Sequence, residues 1–260
     1  MGTALTMQQR WPERLWIIRH GESSGNVARE AADAAGLGRI DIEERDVDVP
    51  LSALGEEQAQ ALGDWFAEMP EDQRPEVVLT SPYVRARKTA EIVQAGGGLH
   101  VDVADFLIDE RLREKEFGVL DRLTRRGIEQ EFPDQAEFRR LLGKFYHRPP
   151  AGESWCDVIL RLRSALDTIS LHHCGRRVVI VSHQVVVLCL RYLLENMTEE
   201  QILAIDREGD VANCSVTEYG FNPDIGKIGG MELRRYNFVA PLREAGAPVT
   251  AEPDENVAAR

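Results

Sequence analysis

Residues 15–21 have the sequence Leu-Trp-Ile-Ile-Arg-His-Gly, an apolar run that ends at two basic side chains and a glycine. A second apolar run, Val-Val-Ile-Val at 178–181, leads in the same way into Ser182 and His183. Short continuous apolar runs that end at polar residues are typical of strands buried on both faces. We therefore predict two central strands, each of which delivers a histidine to one edge of a sheet.

Further strands and helices are predicted on both sides of these runs. Ser52, followed by an Ala-, Leu-, Gln- and Glu-rich stretch to Met69, predicts a capped helix. The other predicted elements are strands at 76–80, 215–219 and 231–238, a weaker extended segment at 101–108, helices at 154–172 and 185–194, and a helix to about Gln94 with Ser81 as N-cap and Pro82 first. Strands that alternate with helices predict an α/β fold, a three-layer α/β/α sandwich with a mostly parallel central sheet.

The chain of 260 residues is expected to form one domain over 1–242. Two insertions, about 28–49 and 122–146, are expected to roof a pocket, and the second is helical with a break at Pro133. The Ala-, Pro- and Glu-rich stretch 243–260 is expected to be a disordered tail. The strand at 215–219 is a candidate sheet edge, where two copies could pair as a homodimer.

Composition restricts the classes of partner. There are 31 Lys and Arg against 44 Asp and Glu, a net charge of -13, which disfavours nucleic acid and anionic membranes as partners. A phosphate site would need a concentrated positive pocket. The four cysteines show no Cys-x-x-Cys spacing, so zinc or a disulfide framework is not expected. No leader and no stretch of roughly 20 apolar residues is evident, so a cytoplasmic enzyme is expected.

Basic and imidazole side chains collect at the predicted strand ends. His20 follows the first strand, where Gly21 allows close approach of a ligand, and Arg19 beside it can hold a phosphate through two hydrogen bonds. His183 stands at the start of a helix, a position that favours a bound anion. Arg85, one turn into another helix, is a second candidate phosphate ligand.

Together these residues resemble the histidine phosphatase superfamily, which has a phosphoglycerate-mutase-like fold. The resemblance covers roughly residues 15–236. The segments that carry it, in chain order, are Arg19-His20-Gly21-Glu22-Ser23 with Asn26, Pro50-Leu51-Ser52 with Gly55 and Ala59, Thr80-Ser81-Pro82 with Arg85-Ala86 and Thr89-Ala90, Gly152-Glu153-Ser154, Val181-Ser182-His183, and Asn213-Cys214-Ser215-Val216-Thr217.

The resemblance implies that His20 attacks phosphorus and becomes phosphorylated. Arg19, Arg85 and His183 would surround the transferring phosphoryl group, and Asn26 would donate to it. Ser23 and Gln184 are further candidate ligands, although the signature leaves open whether Ser23 contacts substrate or shapes its loop. Guanidinium groups can stabilise the equatorial oxygens without a metal, so neither metal nor cofactor is expected.

The resemblance also implies a carboxylic acid that protonates the leaving alkoxide, in a segment of the form Leu-x-Glu-x-x-x-Gly. Residues 112–118 fit this form, and the spacing to Gly118 favours Glu114. Glu110, which precedes an arginine, is the competing candidate.

Three departures favour a phosphatase over a mutase. Gln184 replaces the glycine that commonly follows the second histidine, Lys115 replaces a substrate-binding arginine of mutases, and residues 119–121 lack a further glycine. The expected substrate is a small phosphorylated metabolite, either a sugar phosphate or a phosphoglycerate-like compound. The alternatives are a 2,3-bisphosphoglycerate-dependent phosphoglycerate mutase, a catalytically inactive binding module, and a metal-dependent hydrolase.

Overall fold

The computed structural model describes residues 9–99 and 101–251. Within them the strands are β1 (Arg14–Arg19), β2 (Val77–Thr80), β3 (Phe106–Ile108), β4 (Arg177–Ser182), β5 (Val216–Asn222) and β6 (Gly230–Phe238). They form one sheet in the order β3-β2-β4-β1-β5-β6. Strands β3, β2, β4 and β1 are parallel, whereas β5 and β6 are each antiparallel to the strand before them in that order. The predicted mostly parallel sheet is confirmed.

Helices cover both faces of this sheet. They are α1 (Ser24–Ala34), α2 (Ala53–Ala67), α3 (Val84–Ala95), α4 (Arg125–Glu131), α5 (Pro133–Tyr146), α6 (Trp155–His172), α7 (Gln184–Leu194), α8 (Glu199–Glu208) and α9 (Ala240–Glu244). Helices α6 and α7 pack on one face, and α2 and α3 pack on the other. The predicted three-layer α/β/α sandwich is confirmed.

Strand β1 contributes side chains to the hydrophobic cores on both faces of the sheet. Leu15 and Ile17 face the core beneath α6 and α7, while Trp16 and Ile18 face the core beneath α2 and α3. The Trp16 ring meets Phe66 of α2 edge-on, with the ring centroids 5.6 Å apart. Burial of each such side chain contributes roughly 1.5–3 kcal/mol, so β1 is held from both sides and its end is placed rigidly.

The strand register decides which residues meet at the sheet edge. In the parallel pair β1 and β4, Arg19 lies beside Ser182, and in β2 and β4, Thr80 lies beside Val181. Since three parallel strands end at the same level, the residues that follow them emerge together. This carboxyl edge is where open α/β sheets bind ligands.

Helix α3 begins later than predicted. Its N-cap is Tyr83 and its first residue is Val84, so the assignment of Ser81 as N-cap was wrong. The reason is tertiary: the Ser81 hydroxyl accepts from the Tyr83 backbone N–H and is hydrogen-bonded to the His183 ring. Helices α1 and α8 were not predicted, although Ser23 with Asn26 and Thr198 with Gln201 form capping boxes that would have indicated them.

The strand predicted at 215–219 is present as β5, but the sheet-edge position considered for it was wrong. Strand β5 lies between β1 and β6 because β6 closes a hairpin on it. Pairing of two copies through β5 is therefore excluded, and a homodimer by another surface stays a prediction.

The predicted disorder from residue 243 was wrong for the residues that the structure describes. The Asn213 backbone N–H donates to the Thr250 carbonyl, and the Gln58 amide donates to the Pro248 carbonyl and the Thr250 hydroxyl. These bonds, together with buried Leu242, attach the segment to the domain. The predictions for residues 1–8 and 252–260 lie outside the described residues.

Candidate active site

The two histidines predicted at strand ends lie side by side at the carboxyl edge. The ring centroids of His20 and His183 are 5.1 Å apart in an edge-on arrangement, and both residues are completely buried. The His20 backbone N–H donates to the Ser182 carbonyl at 2.9 Å, which continues the pairing of β1 with β4 past the last strand residue. Register thus brings together residues that are far apart in sequence.

The hydrogen bonds of His20 determine its tautomer. Nδ1 lies 2.7 Å from the Gly21 carbonyl oxygen, which can only accept, so Nδ1 carries the proton. Nε2 then has the lone pair, and it accepts a hydrogen bond from Arg85 Nε at 3.2 Å. The basic nitrogen is therefore turned toward the predicted phosphate ligand Arg85, which is the orientation that a nucleophile requires.

Two arginines flank His20. Arg19 is the last residue of β1, is fully buried, and donates from Nη1 to the Val211 carbonyl. Arg85 extends from the first turn of α3, where its guanidinium carbon lies 4.9 Å from the centre of the Tyr83 ring. Nη1 of Arg85 donates to the Asp46 carbonyl and is 3.0 Å from the Asp46 carboxylate.

The second histidine connects the phosphate ligands to the candidate acid. His183 Nε2 is 2.8 Å from the Ser81 hydroxyl, and its Nδ1 is 4.0 Å from Glu114 Oε2. Glu114 is fully buried, and its Oε1 accepts from the Lys115 backbone N–H at 2.8 Å. Glu110 is exposed, whereas Glu114 lines the cavity described below. The structure therefore places Glu114, of the two candidate acids, beside the histidines.

An ion pair between Arg161 and Glu153, called the brace below, supports the backbone of the segment that contains Glu114. The sequence analysis did not predict this pair. Arg161 donates to the backbone carbonyls of Arg111 and Glu114, and to both carboxylate oxygens of Glu153. Burial acts to raise the pKa of Glu153, but the hydrogen bonds and charge of Arg161, helped by the Glu116 backbone N–H and the charge of Arg113, together lower that pKa. Glu153 lies in the segment Gly152-Glu153-Ser154, which is one of the motifs that resemble the superfamily. That motif could have drawn attention to Glu153, but it did not indicate what the residue does.

Three other predicted ligands have partners within the protein. Asn26 Oδ1 accepts from the Ser23 backbone N–H and hydroxyl, which orients the Asn26 amide nitrogen as its donor atom. The Ser23 hydroxyl also caps α1, so it shapes the loop that follows His20. The Gln184 amide donates to Asp210 at 2.8 Å. The Ser23 hydroxyl could donate to a phosphoryl group only by giving up its bond to Asn26, whereas the second N–H of the Gln184 amide could donate while the bond to Asp210 is kept. Their role as ligands stays a prediction.

Gly21 and Gly55 allow two backbone segments to cross next to His20. A Cβ on Gly21 would lie 2.4 Å from the Gly55 carbonyl oxygen, and a Cβ on Gly55 would lie 1.9 Å from the Glu22 carbonyl oxygen. The Ser52 hydroxyl adds a 2.6 Å hydrogen bond to the Glu22 carboxylate. This contact is the structural reason why the motif at 50–55 accompanies the motif at 19–23.

A cavity of about 60 Å³ opens beside these residues. It is lined by Ser23, Gly25, Asn26, Arg29, Ile40, Ile42, Glu44, Asp46, Val49, Arg85, Glu114, Phe117, Asp121 and Arg122. The insertion at 28–49 therefore contributes much of the lining, whereas the insertion at 122–146 contributes Arg122.

The other basic residues of the two insertions mostly bind the insertions themselves. Arg39 pairs with Glu131, and Arg125 pairs with Glu129. Arg126 donates to the Gly36 carbonyl, and Arg139 is buried in α5. Among Arg39, Arg122, Arg125, Arg126 and Arg139, the described cavity lining includes Arg122 alone.

Residues 9–99 and 101–251 offer neither a cluster of metal ligands nor a membrane-spanning helix. They contain no group of three or more His, Cys, Asp or Glu side chains arranged to hold a metal ion. Nor does any helix there combine the length and the apolar character needed to cross a membrane. The four cysteines are all free thiols.

The fold and this site define an α/β protein with two facing histidines and two arginines at the carboxyl edge of its sheet. Residues 15–233 match the model of the histidine phosphatase superfamily (branch 1), so the chain belongs to that superfamily. The resemblance inferred from the motifs is confirmed.

Individual relatives have names of two kinds. Over 210 residues, 80% of this chain and 85% of the relative, the chain is 29% identical to a probable phosphoglycerate mutase, GpmB, of Yersinia enterocolitica. The solved α-ribazole phosphatase of Shigella flexneri is 26% identical with a TM-score of 0.64, over 86% of this chain and 97% of that chain. A mycobacterial glucosyl-3-phosphoglycerate phosphatase is 25% identical with a TM-score of 0.66, over 87% and 99% of the two chains.

Proposed function

We propose that this protein is a phosphomonoester hydrolase that acts through a phosphohistidine on His20. The observation that carries the proposal is the orientation of the His20 ring, with Nδ1–H bound to the Gly21 carbonyl and the basic Nε2 facing Arg85. A neutral imidazole in this tautomer is a competent nucleophile near pH 7.

The first step of the proposed reaction is attack by His20 Nε2 on phosphorus. The new N–P bond forms while the P–O bond to the alcohol breaks, and Glu114 gives its proton to the leaving alkoxide. Arg85 must move its Nε–H from His20 to a phosphoryl oxygen, while Arg19 and His183 stabilise the other oxygens. The residues involved are buried, so these charge interactions are stronger than they would be in water.

The second step returns the enzyme to its starting state. Water attacks the phosphohistidine, and the Glu114 carboxylate takes a proton from that water. The N–P bond breaks, inorganic phosphate leaves, and neutral His20 is restored. Glu114 thus serves as acid and then as base, and no electron transfer, cofactor or metal ion enters the balance.

Buried Lys115 supports hydrolysis over a mutase reaction. Lys115 occupies the position at which the resemblance to phosphoglycerate mutases implies a substrate-binding arginine. Its ammonium lies 4.6 Å from the centre of the Phe117 ring. A lysine cannot form the bidentate pair of hydrogen bonds that an arginine forms with a carboxylate. The mutase remains the second candidate because a probable phosphoglycerate mutase is among the relatives. An inactive binding module is disfavoured by the complete set His20, Arg19, Arg85, His183 and Glu114.

The test is to measure hydrolysis of p-nitrophenyl phosphate and of a panel of small phosphate esters, with phosphorus NMR on the acid-quenched and base-quenched enzyme. We expect phosphate release that chelators leave unchanged, and an acid-labile, base-stable phosphoenzyme. His20→Asn should abolish both, whereas His172→Asn, which alters an exposed histidine, should abolish neither.

Two outcomes would refute the proposal. A phosphoenzyme that survives in His20→Asn would remove the proposed nucleophile. Conversion of 3-phosphoglycerate to 2-phosphoglycerate, dependent on 2,3-bisphosphoglycerate and faster than hydrolysis, would establish the mutase instead.

A further inference from the structure

Asp46 contacts the candidate phosphate ligand Arg85 and also lines the cavity. It begins the 3-10 turn Asp46–Asp48, within the insertion that lines the cavity. Its carboxylate and its backbone carbonyl both contact Nη1 of Arg85, the guanidinium whose Nε reaches His20. A phosphoryl group bound to Arg85 would therefore have the Asp46 carboxylate as a close neighbour, and Asp46 lines the same cavity as Glu114, the candidate acid for the leaving alkoxide.

The charges in the remainder of the cavity do not offset Asp46. Apart from Arg85 and Glu114, the lining has two positively charged residues, Arg29 and Arg122. It has three negatively charged residues, Glu44, Asp46 and Asp121. The Arg122 guanidinium donates to the carbonyls of residues 42–44, so its hydrogen bonds hold the insertion together.

The pKa of Asp121, another carboxyl in the cavity lining, shows that the charge of Asp46 is felt there. Burial raises the pKa of the Asp121 carboxyl, and the nearby charge of Asp46 raises it further. Arg122 and Arg29 act in the opposite direction, yet the pKa stays above its ordinary value. The charge of Asp46 therefore acts on another carboxylate of the cavity lining, and it would act in the same way on an anionic group of a ligand.

We propose that Asp46 is a specificity-determining residue, an inference that rests on the proposed function. Its carboxylate makes the site select phosphomonoesters whose alcohol part is neutral or cationic, and reject esters that carry a second anionic group. A carboxylate on the substrate would lie near Asp46 in a partly desolvated cavity, where like charges repel. The apolar lining from Ile40, Ile42, Val49 and Phe117 suits an uncharged carbon skeleton.

The sequence suggested two kinds of substrate, a sugar phosphate and a phosphoglycerate-like compound. With Asp46 in this role, we expect the sugar phosphate. The Asp46 carboxylate also opposes a mutase role for a separate reason, because the substrates of that reaction carry a carboxylate beside the phosphate.

The experiment compares two inhibitors of p-nitrophenyl phosphate hydrolysis, glycerol 3-phosphate and 3-phosphoglycerate. They differ in having a hydroxymethyl group or a carboxylate at the far end. We expect the native enzyme to bind glycerol 3-phosphate at least about fivefold more tightly, and Asp46→Asn to reduce that preference about fivefold, as expected for one like-charge interaction at a partly exposed site. The Asp46 backbone carbonyl still accepts from Arg85 in this variant, so the turn keeps its anchor.

Asp48→Asn is the matched control. It removes the same charge from the same turn, but Asp48 pairs with Arg45 at 2.6 Å and is not among the cavity-lining residues. This variant should keep the native preference.

The outcomes separate this inference from the function on which it rests. Equal inhibition constants in the native enzyme, no inhibition by glycerol 3-phosphate, or a preference unchanged by Asp46→Asn would overturn the role of Asp46 alone. Absence of p-nitrophenyl phosphate hydrolysis by the native protein would instead overturn the proposed function.

Discussion

Replacement of Arg161 by methionine tests whether the brace behind Glu114 matters for catalysis. Methionine keeps much of the aliphatic bulk of the side chain but removes the guanidinium. The hydrogen bonds to the Arg111 and Glu114 carbonyls and to Glu153 are then lost. The 112–118 segment would keep its hydrophobic anchor at fully buried Leu112, yet lose the group that fixes the backbone of Glu114.

The magnitude follows from the burial of the ion pair. The side chains of Arg161 and Glu153 are only 10% and 11% exposed. Removing one partner of a buried pair costs about 3–5 kcal/mol, because the other charge is left uncompensated. Here Arg113 remains 2.7 Å from Glu153 and continues to neutralise it, so we expect a loss of about 2–3 kcal/mol in the free energy of unfolding.

The catalytic effect should depend on the leaving group. General acid catalysis typically contributes about 10²–10⁴-fold, and a displaced acid loses part of that factor, so alkyl phosphates should be hydrolysed about tenfold more slowly. p-Nitrophenyl phosphate, whose leaving group needs no proton, should change by less than about twofold.

Denaturant unfolding and kcat/KM for both ester types provide the measurement. The ratio kcat/KM reports phosphoryl transfer to His20 and excludes the later hydrolysis of the phosphoenzyme, in which Glu114 acts for both esters alike. Arg163→Met, two residues along α6 and exposed, should change neither quantity. The reasoning is refuted if Arg161→Met slows both esters equally, or if it lowers stability with no difference between leaving groups.

Two further predictions concern the candidate acid and the glycine crossing. Glu114→Gln should lower kcat/KM for alkyl phosphates by about 10²-fold or more and lower kcat/KM for p-nitrophenyl phosphate much less, because the nitrophenolate leaving group needs no proton. Glu110→Gln should affect neither, and the reverse pattern in a leaving-group series would reassign the acid. Gly55→Ala should lower the free energy of unfolding by about 1–3 kcal/mol, because the new Cβ meets the Glu22 carbonyl oxygen at 1.9 Å, and should also lower activity by shifting the loop after His20. Gly209→Ala, whose Cβ meets nothing within 4 Å, should be nearly neutral in thermal unfolding, and equal losses in the two glycine variants would contradict the steric argument.

Much of the architecture could be predicted from local patterns. The apolar runs at 15–18 and 178–181 predicted β1 and β4, and the polar residues after them predicted which side chains the strands deliver. Parallel strands that end at one edge were enough to bring His20 and His183 together. These features depend on hydrophobic periodicity and on residues adjacent in sequence, so the sequence by itself determined them.

The tertiary structure alone decided how those groups are oriented. The hydrogen bond of His20 to Gly21 sets its tautomer, but the contact of Nε2 with Arg85 joins residues 65 positions apart. The pairing of Asp46 with Arg85, and that of Arg161 with the Glu114 carbonyl, likewise join distant loops. No local pattern encodes such contacts, because they depend on how the loops pack over the sheet.

The errors have the same physical origin. Ser81 was predicted to cap α3, but its hydroxyl is engaged by the His183 ring from another strand end. The composition after residue 243 predicted disorder, yet hydrogen bonds with Gln58 and Asn213 hold residues 248–250 against the domain. The sequence by itself determined most of the strands and helices, and it indicated that His20, His183, Arg19, Arg85 and Glu114 belong to one site, since these features follow from local burial and from short motifs. Only the tertiary structure decided partners, protonation and the ends of elements, since these depend on groups distant along the chain.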